Sequence, residues 1–404
     1  MTTTQHGADT ATAPSAPVDQ AQLDRALRPF GQSTMLPAAA YNDQAVLDWE
    51  QRHFFAGSWP CLGRLEDFAR DSSHRPLTQR ALTVGDIAVL LTFAPQAGPG
   101  HAAAGAAGST VRAFANTCRH RGHELLPEGG SGTRRALVCP YHAWSYDLAG
   151  AVIVSPGFEE VETFDRTDYG LVQLPVQVWH GWVFVNATAD AEPFERHLGE
   201  LDALVAAYAP ERLVLGARHT YEVNANWKII CENYHECYHC PLIHPELCRV
   251  SPPGSGHNHD LPGAWVGGVM DLADDAETMS LSGASGGVFL DGVDRRVVQY
   301  LGLFPNLLVS AHPDYVMTHR MLPLAPGRTW VECSWYFASS SVDPAYAVDF
   351  WELTNQQDFA ACESVQRGLR SPHFKPGPFA PNEDAVHRWV SLVGRAYRGF
   401  SPAA

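Results

Sequence analysis

The chain has 404 residues, 45% of them hydrophobic and 18% charged, which is material for two or three folded domains. A formal net charge of −16 argues against nucleic acid or an anionic membrane as the main partner and is compatible with a cationic ligand. Nine cysteines are too few for a disulfide scaffold at this length, and no run of about 20 apolar residues is present to span a membrane.

Residues 1–20 are rich in Thr, Ala, Ser and Asp without an apolar run, which predicts a disordered tail and not a secretion signal. With thiols expected in reduced form, the location expected is cytoplasmic. Val46, Leu47, Trp49 and Phe54 predict a short amphipathic helix over 43–55. Alternation through Leu82, Val84, Ile87, Val89 and Leu91 predicts a strand over 81–93, with another over 111–116. The Ala/Gly-rich stretch 94–109 between them reads as a surface insertion. A hairpin closed at His180-Gly181 is expected over 172–186.

Further on, apolar spacing predicts a helix over 198–208 and a buried helix over 226–239. Strands over 297–303, 306–311, 315–323 and 329–339 predict an antiparallel sheet. A long helix should begin at Asp343-Pro344 and end at Ser371-Pro372. The class expected is α+β: a small all-β domain over 21–165 led by a helix, then a domain over 166–404 with an antiparallel sheet flanked by helices.

Two Cys–His pairs carry the chemistry of the first domain: Cys118-Arg119-His120 and Cys139-Pro140-Tyr141-His142, eighteen residues apart. Two thiolates and two imidazoles are what a Rieske [2Fe–2S] cluster needs, one iron held by sulfur and the other by nitrogen. Cys2His2 is also a zinc set, but zinc fingers pair Cys with Cys and His with His, whereas each loop here offers one of each. The long spacing calls for a turn over 127–135, where Gly129, Gly130 and Gly132 supply the freedom.

The second domain holds the string Cys231-Glu-Asn-Tyr-His-Glu-Cys-Tyr-His-Cys-Pro-Leu-Ile-His244. O2 activation at Fe(II) calls for two imidazoles and one carboxylate on one face, with open positions opposite. His239 and His244 are the candidate imidazoles, brought together by a helix end distorted at Pro241. His235/His239 and a Cys237/Cys240 hook are competing pairs. The third ligand is Asp358, set among Phe350, Leu353 and Phe359 on the long helix, with Glu363 as the alternative. The seven cysteines outside the cluster motif read as small buried apolar residues.

From about residue 41 onward the chain resembles the α subunit of Rieske non-haem iron oxygenases, the ring-hydroxylating superfamily. Glu236, three residues before His239, resembles in particular the branch acting on quaternary ammonium compounds: glycine betaine, carnitine, choline and stachydrine oxygenases. So do Phe304-Pro305-Asn306 and the helix string Gln357-Asp-Phe…Cys-Glu-Ser-Val-Gln-Arg-Gly-Leu369. The resemblance implies a homotrimer in which Glu236 bridges a catalytic His to a cluster His across a subunit boundary. It also implies a monooxygenase rather than a dioxygenase, electrons passing one at a time from cluster to iron, and hydroxylation of an N-methyl carbon that then leaves as formaldehyde. No dinucleotide fingerprint is present, so electrons should come from a separate NAD(P)H-dependent reductase with flavin and a ferredoxin-type cluster.

Trp265, Tyr300, Phe304 and Tyr315 are candidate walls of the pocket, because aromatic faces hold trimethylammonium groups. His312 or Arg320 is a candidate anchor for a substrate carboxylate. Three other functions compete: an oxygenase for aromatic rings or natural-product intermediates, a pure electron carrier, and a zinc-stabilised binding protein.

Overall fold

The single strand expected over 81–93 is instead two, Gln79–Val84 and Ile87–Pro95, paired antiparallel and turning at Gly85, whose φ of 60° suits a residue without Cβ. They sit inside a six-stranded sheet in which Ile87–Pro95 also pairs with Ser109–Ala115. Val89, Leu91, Val111, Ala113, Val183 and Val185 are fully buried between this sheet and the hairpin Val176–Trp179/Trp182–Val185. That hairpin closes at His180-Gly181, both with positive φ, the pattern of a two-residue type I′ turn. The residues in excess between the Cys–His pairs turn at Pro127–Gly130 and add a short strand, Ser131–Gly132, to the edge of Gln79–Val84.

The computed structural model describes residues 13–95, 103–104 and 109–403, so most of the predicted 94–109 insertion and residues 1–12 of the predicted tail lie outside the described residues. The chain divides into two units, Glu50–Ala191 and the combination of Met1–Trp49 with Glu192–Ala404. Both expected boundaries therefore move. Residues 166–191 belong with the β unit, because Gln173–Leu174 and the hairpin extend its sheets. Residues 13–49 belong with the larger unit: the Ala16 N–H donates to the Tyr397 carbonyl at 2.7 Å, and Tyr41 Oη donates to the Glu232 carboxylate at 2.7 Å. Part of the predicted tail is thus ordered, with Ala16 and Val18 buried and Asp19 capping the helix Gln20–Ala26.

The larger unit is built on a seven-stranded antiparallel sheet. In spatial order its main strands are Val214–Val223, Arg328–Phe337, Tyr315–Ala325, Leu307–Ala311, Val297–Leu303 and Trp265–Asp271. The helices Trp227–Tyr234, Ala345–Leu369 and Asp384–Tyr397 pack together with it. Asp343 Oδ1 accepts from the Ala345 N–H, so the predicted cap is present one residue further out. The segment expected to be helical over 198–208 is two short helices, Phe194–Leu198 and Leu201–Ala206, interrupted at Gly199 with φ 52°. Among the described residues no helix is long and apolar enough to cross a membrane.

Gly267 fixes how closely two strands approach: a Cβ there would lie 2.2 Å from the Tyr300 carbonyl oxygen and 2.8 Å from Leu301 Cα. Backbone atoms in mid-sheet cannot yield cheaply. Gly267→Ala is expected to cost about 2 kcal/mol, a fall of roughly 4–8 °C in Tm, measured by calorimetry.

Candidate metal centres

The two Cys–His loops share one backbone design. The Cys118 N–H donates to the His123 carbonyl at 2.9 Å and the Gly122 N–H returns to the Cys118 carbonyl at 2.9 Å. The Cys139 N–H donates to the Trp144 carbonyl at 2.8 Å and the Ala143 N–H returns to the Cys139 carbonyl at 3.0 Å. Each loop thus needs a left-handed residue four places after its cysteine, Gly122 at φ 75° and Ala143 at φ 58°. The outcome is two buried sulfurs, each cysteine 2% exposed, beneath two imidazoles nearer the surface, with rings 4.8 Å apart. The His120 ring stacks on Trp144 with centroids 5.1 Å apart. Tyr146 Oη lies 3.3 Å from Cys118 Sγ and accepts from the Arg119 N–H at 3.0 Å. Burial and the neighbouring Cys118 raise the Cys139 thiol pKa, so a proton is held there unless a cation takes its place.

The second centre is assembled by a helix that stops. Asn226 caps Trp227–Tyr234, but the helix predicted to reach residue 239 ends at Tyr234. Beyond it the Glu236 carboxylate accepts from the backbone N–H of Tyr238 and of His239 and from His239 Nδ1, tying the turn to itself. Pro241 then sits in the first turn of Cys240–Ile243, where a missing N–H is harmless, and His244 follows that turn. His239 Nε2 and His244 Nε2 are 3.2 Å apart, and Asp358 Oδ1 lies 3.3 Å from the first and 2.8 Å from the second. These three ligand atoms all fall within 4.8 Å of one another.

His244 Nδ1 donates to Gln357 Oε1 at 2.7 Å. With both Nδ1 atoms donating, each imidazole turns its Nε2 to the shared point, as metal-ligating histidines do. Burial alone would lower the pKa of His239, yet Asp358 and Glu236 outweigh it and raise it to about 9. His244 is raised as well, by Asp358 against burial, and Asp358 is lowered by both histidines. The competing choices do not converge on this point. The His235 ring packs against Trp389 and over Gly302, while Glu363 Oε1 accepts from the Asn224 N–H at 2.9 Å and its side-chain amide at 3.0 Å. Cys237 and Cys240 are joined as a disulfide around Tyr238 and His239, instead of standing as separate buried thiols, because the turn sets their Cα atoms 4.9 Å apart.

Residues 59–165 match the Rieske [2Fe-2S] domain, and residues 210–399 match the ring-hydroxylating alpha subunit (catalytic domain). The carnitine monooxygenase oxygenase subunit of Escherichia coli is 34% identical over 347 residues, covering 84% of this chain and 85% of that protein. The chain belongs to the Rieske-type ring-hydroxylating oxygenases. The glycine betaine monooxygenase oxygenase subunit of Chromohalobacter salexigens is 29% identical, over 85% of this chain and 81% of its own length. Among solved structures, the quaternary ammonium Rieske monooxygenase CntA with a bound inhibitor shares the fold at a TM-score of 0.71 and 23% identity, covering 94% of this chain and 99% of its own. Naphthalene 1,2-dioxygenase from Rhodococcus sp. shares it at 0.63 and 17%, over 90% and 94%. The oxygenase uses a [2Fe–2S] cluster and a mononuclear iron, and both donor sets fit: two buried, unjoined sulfurs beside two imidazoles, and two imidazoles with one carboxylate at a single point.

In the oxygenase a cavity of about 480 Å³ opens over His239, His244 and Asp358. Of the four aromatic residues expected to wall it, Tyr300 does so and the other three lie elsewhere. Trp265, at the far end of its strand, lines a separate cavity and donates Nε1 to the Pro262 carbonyl. Phe304 follows the end of Val297–Leu303 and packs against Trp227 and Trp389. Tyr315 is one layer behind, accepting from Trp351 Nε1 at 2.8 Å. Trp351 is the aromatic wall that sequence reading missed. It stands seven residues before Asp358 on one helix, with Thr354 between, and all three line the cavity. That i, i+3, i+7 spacing is the face Asp358 defines, so the signal was present.

Tyr146 Oη lies beside Cys118 Sγ, and were that sulfur to hold a cluster iron such a bond would favour the reduced state. A single bond worth about 1 kcal/mol corresponds to about 45 mV for one electron. Tyr146→Phe is expected to lower the cluster potential by about that much with the cluster intact, measured by redox titration followed by EPR.

Proposed function

We propose that the protein is the terminal oxygenase component that uses O2 and externally supplied electrons to hydroxylate an N-methyl carbon of a small quaternary or methylated amine. The observation that carries this reading is the His239/His244/Asp358 point beneath a cavity walled by Tyr300 and Trp351, whose ring centroids are 6.4 Å apart. Relatives named for glycine betaine, carnitine and choline support the amine class. In this reading Cys118, Cys139, His120 and His142 hold the cluster, and His239, His244 and Asp358 hold the iron, which supplies O2 activation when bound.

The remaining residues position and orient. Glu236 and Gln357 hold the two imidazoles in the tautomer that frees Nε2. Trp351 and Tyr300 offer aromatic faces to the cationic head, each attraction worth about 1 kcal/mol or more once water is excluded. The hydroxylated carbon loses its bond to nitrogen and departs as formaldehyde, leaving the amine one methyl shorter. Electrons would come from a separate NAD(P)H-dependent flavin/ferredoxin-type reductase in the cytoplasm, where Cys118 and Cys139 stay reduced. Glu236 would take the bridging role between subunits of a homotrimer. Beside it Tyr238 is 60% exposed and Leu242 91%, and beside the cluster loops Tyr141 is 53% exposed, apolar surface suited to cover by a second copy.

The test is formaldehyde release and O2 uptake by the iron-loaded protein, with a surrogate reductase and NADH, against a panel of amines and aromatic compounds. Formaldehyde in proportion to O2 is expected with an N-methylated amine; coupled O2 use with an aromatic ring alone would overturn the substrate class. His239→Ala is expected to retain the cluster iron and its visible absorbance while losing mononuclear iron and turnover, by metal analysis and the same assay. Turnover surviving in that variant would remove His239 from the ligand set.

A further inference from the structure

The cavity over His239, His244 and Asp358 has no fixed positive charge. Among the described residues no Lys or Arg lines it. Neither of the two anchors that a substrate carboxylate was expected to use lines this cavity. Arg320 lies 3.3 Å from the Glu332 carboxylate with its guanidinium over Trp330, and His312 is buried in a stack on Tyr315 with centroids 4.0 Å apart. Two further imidazoles line the wall. Burial lowers the pKa of His235 to about 3, so that ring stays neutral, and His257 is exposed.

Negative groups outnumber positive ones. Glu236, Asp358 and Asp384 all line the cavity, and the contacts of Asp384 include the neutral Asn258 amide, at 2.9 Å. The two charges of a bound Fe(II) are matched by Asp358 and Glu236, which leaves Asp384 as the surplus. Tyr300 lines the cavity with its ring, while its hydroxyl is buried away from solvent and has no hydrogen-bond partner.

We infer that the substrate carries a net positive charge and no carboxylate: a methylated ammonium whose tail ends in a hydroxyl or another neutral group, rather than a betaine. This rests on the reading that the cavity demethylates an amine. A zwitterion brought into this cavity would desolvate its carboxylate beside Asp384 with no Lys or Arg to receive it. A simple cation meets the aromatic faces and the surplus carboxylate together. The overall charge of −16 draws the same ligand class toward the protein.

The experiment titrates choline, glycine betaine and carnitine into the iron- and cluster-loaded oxygenase without O2, by calorimetry, and follows formaldehyde from each in the coupled assay. Choline is expected to bind about tenfold or more tightly than either zwitterion, with affinity that falls as salt rises. Asp384→Asn should narrow that ratio. Equal or tighter binding of glycine betaine or carnitine, with formaldehyde released from them, overturns this inference and leaves the amine reading standing. No binding and no formaldehyde from any amine overturns both. The wild-type comparison stands without the variant should it fail to fold.

Discussion

The carboxylate of Asp358 is held between two imidazoles, and much of the larger unit is arranged to keep it there. A buried carboxylate without a partner would take up a proton, whereas His239 and His244 pull its pKa down and have their own raised in return. The three groups arrive from two separate places. Asp358 rides a 25-residue helix, while both histidines follow a helix that stops early. The sheet supplies the rigid floor, with Gly267 and Gly302 letting strand and His235 ring come close enough. Loss of any one of these supports would part the ligand atoms, and a metal point tolerates displacements of only tenths of an ångström.

The cluster loops achieve their geometry differently. Their precision is backbone precision: two turns with the same pair of hydrogen bonds and the same left-handed residue, one of them an alanine bearing the cost. That repetition sets sulfur inward and imidazole outward in both loops. The polarity has a consequence for electron flow, because the buried sulfurs are screened by Leu125, Leu137 and Tyr146 and the imidazole side is the exposed one. A cluster held by these loops would therefore present its nitrogen side to an electron arriving at or leaving the surface.

The fold was legible where periodicity was strong. The strands after residue 297, the hairpin at His180-Gly181 and the long helix appear within a few residues of expectation, since each has a clear period and a marked end. The helix expected to run to residue 239 was misread because nothing in the apolar spacing shows that Glu236 will spend its carboxylate on the N–H groups of Tyr238 and His239. The boundary near residue 50 was misread because the first segment is held by long-range contacts, Tyr41 to Glu232 and Ala16 to Tyr397, which leave no local signature.

Within the site, residues with unusual chemistry were legible and residues with common chemistry were not. A His, a carboxylate or a Cys in an apolar string demands a reason, whereas an aromatic residue at a strand position is ordinary core. Phe304 and Tyr315 are that ordinary case: one closes the interior against Trp227, the other braces Trp351 from behind. The cavity wall follows instead from Asp358 outward, through Thr354 to Trp351 on one helical face and across to Tyr300 on the facing strand. Once a metal point is located, helical spacing from its ligand is therefore a better guide to the substrate wall than aromatic content, because the ligand fixes which face must look inward.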